Sequence, residues 1–485
     1  MHRTRASVIA LCTAAVLLTS CGVGSGPTAP IEPRPSPTPT PTPQCSLRER
    51  QLWAEARIRE WYLFPEDLPA SIDPAQYDSV DGFINALTAT ARAAGKDRFY
   101  TYITSIAAEN AFNSQGQTAA FGIRLRYDET ARQVFVMDAY ETGPAFAAGL
   151  DRGAELLAIG TTAANLQSVS SLMASGGSAA VANALGPSEA GVTRAIQYRR
   201  GGVTSTATIT RAVFNIPPVS SRFGVQTIPD GSGGQIGYVN LRTFITSAET
   251  PLRNAFAGFR AAGITRVIID YRYNSGGLVS VAELTGDLLG RNRLPTDVFS
   301  ITTFRPSKSA ENETRLFRST PESIAPTALA FITTSATASA SEMVIFSMLP
   351  YLGNNLTMVG ANTFGKPVGT INIDRAACDD RLRIVAFDDR NRDNKADYYG
   401  GLAPIIQPQG GRTCQAGDDV NFAMGSPSEA STAAAIGALG GGLCVPIGGV
   451  TNLRMAAAAA PAAPAGALLL AQTPSAAQRE MPGLF

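Results

Sequence analysis

The apolar positions of this chain change period several times along its length, and each change predicts a different kind of element. Between Cys45 and about Gly95, Leu52, Trp53, Ala56, Ile58, Trp61 and Tyr62 recur at helical spacing, and a second helix is expected over Val80 to Leu87. Both tryptophans of the chain fall in the first helix, where they are expected to be core, because aromatic rings dominate the buried area of small helical units. From Ala119 the pattern shortens to strands and turns. Phe121-Gly122-Ile123-Arg124-Leu125, Val134 to Met137 and Leu156 to Gly160 read as strands, with Gly143-Pro144-Ala145 and Ala148 to Gly153 as turns between them. Val203 to about Ile216 closes this region.

Strands and helices then alternate. Ile236 to Leu241 reads as a strand and Pro251 to Ala262 as a helix with Leu252, Phe256 and Phe259 on one side. Next comes the β-branched run Val267-Ile268-Ile269-Asp270-Tyr271, a buried strand that ends in Asn274-Ser275-Gly276-Gly277. That alternation predicts an α/β core.

The stretch from Thr334 to Lys366 is the focus of the chain. A run of small residues, Ser335 to Ser341, precedes Glu342 and the apolar Met343, Val344, Ile345, Phe346 and Met348, which read as the start of a buried helix. Ser339 then lies just before the first turn, where backbone N–H groups have no intrahelical partner and suit an oxyanion. A strand-like Leu356-Thr357-Met358-Val359-Gly360-Ala361 follows and leads to Thr363-Phe364-Gly365-Lys366. A second oxyanion donor is expected from the glycine pair upstream, where the backbone can approach a ligand closely.

Composition sharpens this reading. The single histidine is His2, within a segment expected to be removed, so a Ser-His-Asp triad, a Cys-His pair and a histidine-ligated zinc are excluded. Lysine is scarce, standing only at positions 96, 308, 366 and 395. An arginine stays protonated at any accessible pH, whereas burial brings a lysine amine down toward neutrality. Ser339 as nucleophile and Lys366 as general base are therefore the candidate pair. No cofactor and no metal is expected. Asp388 to Asp397 has oxygen groups at alternate positions, but it lacks the glycine and glutamate of a calcium loop and reads as a solvated polar loop. A net charge of +1 leaves no basic surplus for a nucleic acid.

Three motifs stand in order: Asp270-Tyr271-Arg272-Tyr273-Asn274-Ser275-Gly276-Gly277, then Ala336-Thr337-Ala338-Ser339-Ala340-Ser341-Glu342, then Thr363-Phe364-Gly365-Lys366. Together they resemble the signature of the C-terminal (tail-specific) processing peptidases, serine proteases with a Ser-Lys dyad. The likeness covers about residues 50 to 410. It implies Ser339 as nucleophile, Lys366 as base, the amides of Gly277 and Ala340 as oxyanion donors, Thr363 holding the lysine amine, and a supporting role for Glu342. One position departs from the family: the glutamine four residues after the lysine is Thr370 here, a possible third member through its hydroxyl. The resemblance also implies a crotonase-like α/β protease core. Residues 119–160 resemble a PDZ domain, in which an extended peptide adds to a sheet edge and its terminal carboxylate sits on amides beside Phe121, Gly122 and Ile123.

The N-terminus completes the expected organisation. Arg3, Arg5 and an apolar run to Leu18 read as a signal peptide over residues 1–20, and Leu18-Thr19-Ser20-Cys21-Gly22 resembles a bacterial lipobox with Cys21 lipidated. Residues 21–44 form a Pro-rich tether. Gly22 after the cysteine suggests, by resemblance, the outer membrane of the cell envelope. The fold expected is a multidomain α+β chain, with an N-terminal helical segment (45–115), a PDZ-like β domain (116–213) and a crotonase-like peptidase core (214–450). The Ala- and Pro-rich tail (451–485) is expected to be disordered. Cys45, Cys378, Cys414 and Cys444 suggest two disulfides. Cys378 with Cys414 or Cys444 is favoured, leaving Cys45 to tie the N-terminal helix to the core.

The function expected is an exported, lipid-anchored serine endopeptidase that engages protein or peptide substrates through their C-termini, with no nucleic-acid partner. Two other readings stand beside it. One is a catalytically silent PDZ-type peptide-binding lipoprotein. The other is a penicillin-recognising enzyme, which Thr363 to Lys366 imitates in spacing without the serine or a Lys-Thr-Gly motif.

Overall fold

The computed structural model describes residues 43–448 and 467–485. The signal segment, Cys21 and most of the Pro-rich tether lie outside the described residues, as does the alanine-rich run 449–466.

The core is a six-stranded sheet in the order Val225–Pro229, Gln235–Asn240, Arg266–Asp270, Ala328–Thr333, Leu356–Gly360 and Arg412–Gln415. The first pair is antiparallel and all the others are parallel. Its central strands are buried on both faces, which is why they read as continuous apolar runs rather than as alternation. Val267, Ile269, Leu329, Phe331 and Met358 face the helices Glu249–Ala261, Val279–Leu288 and Ala340–Leu352. Ile268, Ala330, Ile332 and Val359 face the helix Ala430–Leu439 on the other side. The helix Ala340–Leu352 is buried on nearly all sides, as an apolar-all-round helix must be. Each fully buried Val, Leu, Ile or Phe here contributes about 1.5–3 kcal/mol of transfer free energy.

A five-stranded antiparallel sheet stands beside this core. It joins Tyr102–Ser105, Asp380–Arg390, Val298–Phe304, Glu313–Leu316 and Val368–Arg375. The helices Leu47–Trp61 and Val80–Leu87 pack on it through Ala54, Ile58, Phe83, Ile84 and Leu87, against Leu382, Ile384 and Val385. Trp53 and Trp61 are half-buried at the edge of this cluster rather than inside it, and the Lys308 amine lies 3.8 Å from the centre of the Trp61 ring. Asp388 and Asp389, expected in a polar loop, end the long strand Asp380–Arg390.

The third unit is an antiparallel sheet with Ile123–Asp128, Gln133–Ala139, Glu155–Gly160, Thr193–Arg200 and Val203–Thr210 in order, covered by the helix Val169–Leu185. Buried ion pairs join it to the core. Arg242 meets Asp138 at 2.8 Å and Glu141 at 2.8 Å, and Arg152 meets Asp418 at 2.7 Å. Arg272, fully buried, is held by Asp270, Asp418 and Glu429. Removing one partner of such a cluster leaves an uncompensated buried charge, which makes the junction intolerant of single substitutions.

Two further expectations are corrected. Cys45 pairs with Cys378 and Cys414 with Cys444, at Cα separations of 5.6 and 4.9 Å. Cys378 sits in the turn between Val368–Arg375 and Asp380–Arg390, while Cys414 lies on the edge strand of the central sheet, so the favoured pairing would have had to link two different sheets. Cys45 does tie the N-terminal helix to the rest. The tail is the second correction. Residues 467–485 are packed, with Leu469, Met481, Leu484 and Phe485 each at most 1% exposed. Composition registers the alanines and prolines, but it cannot register an unpaired strand edge that accepts the apolar residues between them.

Candidate active site

Ser339 caps the N-terminus of the buried helix with φ +55° and ψ −119°, a conformation that a residue with a side chain rarely adopts. Strain of this kind persists only where the surroundings over-determine it. Here Ser339 N–H donates to Glu342 Oε2 at 2.9 Å and its carbonyl accepts from Met343 N–H at 2.8 Å. From the other side the chain presses close at Gly276, where a Cβ would stand 2.8 Å from Ser339 Cβ.

Asn274 joins the two motifs. Its carbonyl accepts Ala338 N–H at 3.1 Å and the Ser341 hydroxyl at 2.9 Å, while its side chain accepts Gly276 N–H at 2.9 Å and donates to Leu241 O. Gly277 has φ +133°, and a Cβ there would lie 2.3 Å from Phe244 O, so only glycine fits. Neither Gly277 N–H nor Ala340 N–H has a hydrogen-bond acceptor among the described residues. Both residues line the same cavity as Ser339. Two free amides beside a serine hydroxyl are the donors an oxyanion requires.

Lys366 lines the same cavity. Its backbone N–H donates to Glu342 Oε2 at 2.8 Å and that of Gly365 to Oε1 at 2.7 Å, so one buried carboxylate receives three amides from the segments that carry Ser339 and Lys366. Burial holds the Glu342 carboxyl above its ordinary value despite these bonds. The Lys366 amine has no hydrogen-bond partner among the described residues and stands 4.5 Å from the centre of the Tyr100 ring. Burial pushes its pKa below the ordinary lysine value, against the pull of the Glu480 carboxylate. A half-buried amine with no ion pair and a lowered pKa is suited to accept a proton.

Thr363, expected to hold the lysine amine, accepts Leu402 N–H at 2.8 Å through its hydroxyl and also bonds Glu342. Its hydroxyl therefore serves the acid and the following loop. Thr370 accepts from Arg383 at 3.1 Å and lines the cavity. Phe121, Gly122 and Ile123 stand in the antiparallel domain, and the amides of Gly122 and Ile123 are both engaged, as described below. Cys21 lies outside the described residues.

Other residues of the site were not singled out in the sequence. Arg98 donates to Phe364 O at 2.9 Å and to Gly365 O, with its guanidinium 4.0 Å from the centre of the Phe364 ring, so the N-terminal segment clamps the loop that carries Lys366. Asp389 also lines the cavity, and burial raises its pKa to about 7. The cluster Arg98-Phe99-Tyr100, with a cation and two rings at the end of a helical region, was the available signal for the clamp. The cavity as a whole has a volume of about 1160 Å³.

A serine on a strained helix start, two unpaired amides and a half-buried lysine line one cavity, the groups that a serine–lysine acyl transfer would use. The model of peptidase family S41 matches residues 235–396, a stretch that includes Gly277, Ser339, Ala340 and Lys366. A carboxyl-terminal-processing protease of Synechocystis sp. is 25% identical over 252 residues, covering 52% of this chain and 53% of that protein. The chloroplastic carboxyl-terminal-processing peptidase 3 of Arabidopsis thaliana is 28% identical over 170 residues, covering 34% of this chain and 31% of that protein. This chain thus spans about half the length, or less, of these curated relatives. In fold, it is similar to a Bacteroides fragilis protein assigned to the S41 proteases, at TM-score 0.60 and 20% identity over 80% of this chain and 97% of that one. No described helix is long and apolar enough to cross a membrane.

Proposed function

We propose that this chain is a serine endopeptidase that cuts exported proteins or peptides near their C-termini. Ser339 attacks the scissile carbonyl as neutral Lys366 takes its proton, the amides of Gly277 and Ala340 receive the developing oxyanion, and the protonated lysine then delivers the proton to the leaving amine. Water repeats the sequence on the acyl-enzyme. In this reading Thr370 is a third member through its hydroxyl, and Glu342 and Thr363 fix the backbone of both catalytic segments. In this reading the antiparallel domain is PDZ-like and receives substrate ends beside Phe121, Gly122 and Ile123, the core is crotonase-like, and Cys21 carries a lipid that anchors the protein to the periplasmic side of the outer membrane.

The observation that carries the reading is the strained Ser339 set between two amides without acceptors, in the same cavity as a lysine amine without a partner. The test is incubation with an unstructured protein that ends in apolar residues, with mass-spectrometric mapping of the products. Cuts clustered near the substrate's C-terminus and absent from Ser339→Ala are expected. Product patterns identical for the parent and Ser339→Ala would remove the proposal.

A further inference from the structure

The exposed edge of a sheet invites another strand, and in the antiparallel domain that edge is the strand Ile123–Asp128. This chain covers it with itself, twice. Ala467 and Leu468 pair antiparallel with Tyr127 and Arg126, and Leu469 N–H donates to Leu125 O at 3.0 Å. After the short helix Ala476–Glu480 the chain returns to the same edge. There Leu125 N–H donates to Gly483 O at 2.8 Å, Phe485 N–H donates to Ile123 O at 2.9 Å, and Gly122 N–H and Ile123 N–H donate to Phe485 O at 2.9 and 3.2 Å.

The side chains alternate as those of an added strand should. Phe485 enters the apolar cluster between this strand and the helix Val169–Leu185, and Leu484 turns to the opposite cluster with Phe112 and Tyr140. The same segment also reaches the catalytic cleft. Ser275 donates to Glu480 O, and the Glu480 carboxylate takes hydrogen bonds from Tyr102 at 3.1 Å and Arg383 at 3.3 Å. Residues from 467 to 484 line the cavity that holds Ser339 and Lys366.

We infer that residues 467–485 are a tethered ligand, seated in the groove where the antiparallel domain receives peptides, and that they compete with substrate both there and at the cleft. This inference rests on the proposed reading of that domain as a peptide receptor. The groove takes an extended peptide with an aromatic residue at the position of Phe485, held mainly by main-chain hydrogen bonds. Because the segment belongs to the same chain, it competes at an effective concentration on the order of millimolar, and a free peptide must displace it against that. Glu480 lines the same cavity as Lys366, and its charge favours the charged amine and so opposes the base.

The test uses the full chain carrying Ser339→Ala, so that binding is read without cleavage, and a fluorescein-labelled peptide of residues 478–485 as the probe. Two forms free the groove. One is Phe485→Asp. The other carries a site for a sequence-specific protease inserted between residues 450 and 466, cut after folding, which keeps the question answerable if the substitution impairs folding. Each is expected to bind the probe at least about tenfold more tightly than the uncut parent, as loss of a tethered competitor requires. With Ser339 restored, cleavage of an unstructured protein should rise by a similar factor. Tighter probe binding without any cleavage would retain the tethered ligand and remove the peptidase reading. Affinities within twofold of the parent in both forms would overturn the inference, marking residues 467–485 as a permanent part of the sheet.

Discussion

The backbone amides of Ser339 and Lys366 converge on one oxygen, Glu342 Oε2, at 2.9 and 2.8 Å. The proposed nucleophile and base are thus registered to each other through an acid that need touch no substrate. Glu342→Gln keeps the size but offers one acceptor oxygen in place of two, so one of the three amides loses its partner. A fall in kcat of roughly 10–100-fold with little change in KM is expected, the signature of a lost positioning effect. Steady-state kinetics of the variant check it, and a change confined to KM would contradict it.

Gly276→Ala tests the close approach behind the nucleophile. The new Cβ would lie 2.8 Å from Ser339 Cβ and 3.0 Å from Ala340 N, on a residue with φ +109°. Folding should cost about 1–2 kcal/mol from the backbone alone, and activity should fall far more than stability as the oxyanion amide is displaced. Thermal melts paired with cleavage rates separate the two effects.

Lys366 sits in the fold at a cost. Its pKa is lowered by burial, so the folded state binds fewer protons than the unfolded state in the window between the folded value and the ordinary 10.5. Stability should therefore rise with pH across that window. Lys366→Met should abolish cleavage and raise Tm, with the gain greatest at pH values below the folded pKa and fading as pH approaches 10.5. A Tm below that of the parent near neutral pH would contradict this.

The Cys45–Cys378 bridge closes a loop with a sequence separation of 333 residues and pins the first helix, with its Arg98 clamp downstream, beside the strand Asp380–Arg390. Replacing both cysteines by serine should lower stability by about 2–5 kcal/mol. Activity measured well below Tm should fall less, because the clamp itself remains.

Much of the core was legible because its signals are local. The β-branched run at Val267 becomes a central strand, Ser339 precedes a buried helix, and the want of any usable histidine directs attention to Lys366. What was not legible depends on contacts distant in sequence. Arg98 is 266 residues from Phe364 in the chain, and its role follows only from packing. Thr363 was expected at the lysine amine, yet its hydroxyl faces Glu342 and Leu402, a choice made by the turn at Gly365 and Gly401. The disulfide partners were misjudged because pairing is set by which turn lies beside which helix. The tail was misjudged because its alanines and prolines outweigh, in composition, the few apolar residues that dock on the strand Ile123–Asp128.

The proposed chemistry turns on Lys366 acting, in its neutral form, as the base for Ser339. The pH dependence of kcat/KM decides it, measured from about pH 6 to 10 for cleavage of an unstructured protein by the chain with the tail released, beside Ser339→Ala and Lys366→Ala. A lysine base requires a rate that rises with pH through one group titrating below 10.5 and then levels, with both variants inactive. A profile flat across the range, or a Lys366→Ala protein that cuts as fast as its parent, would contradict it.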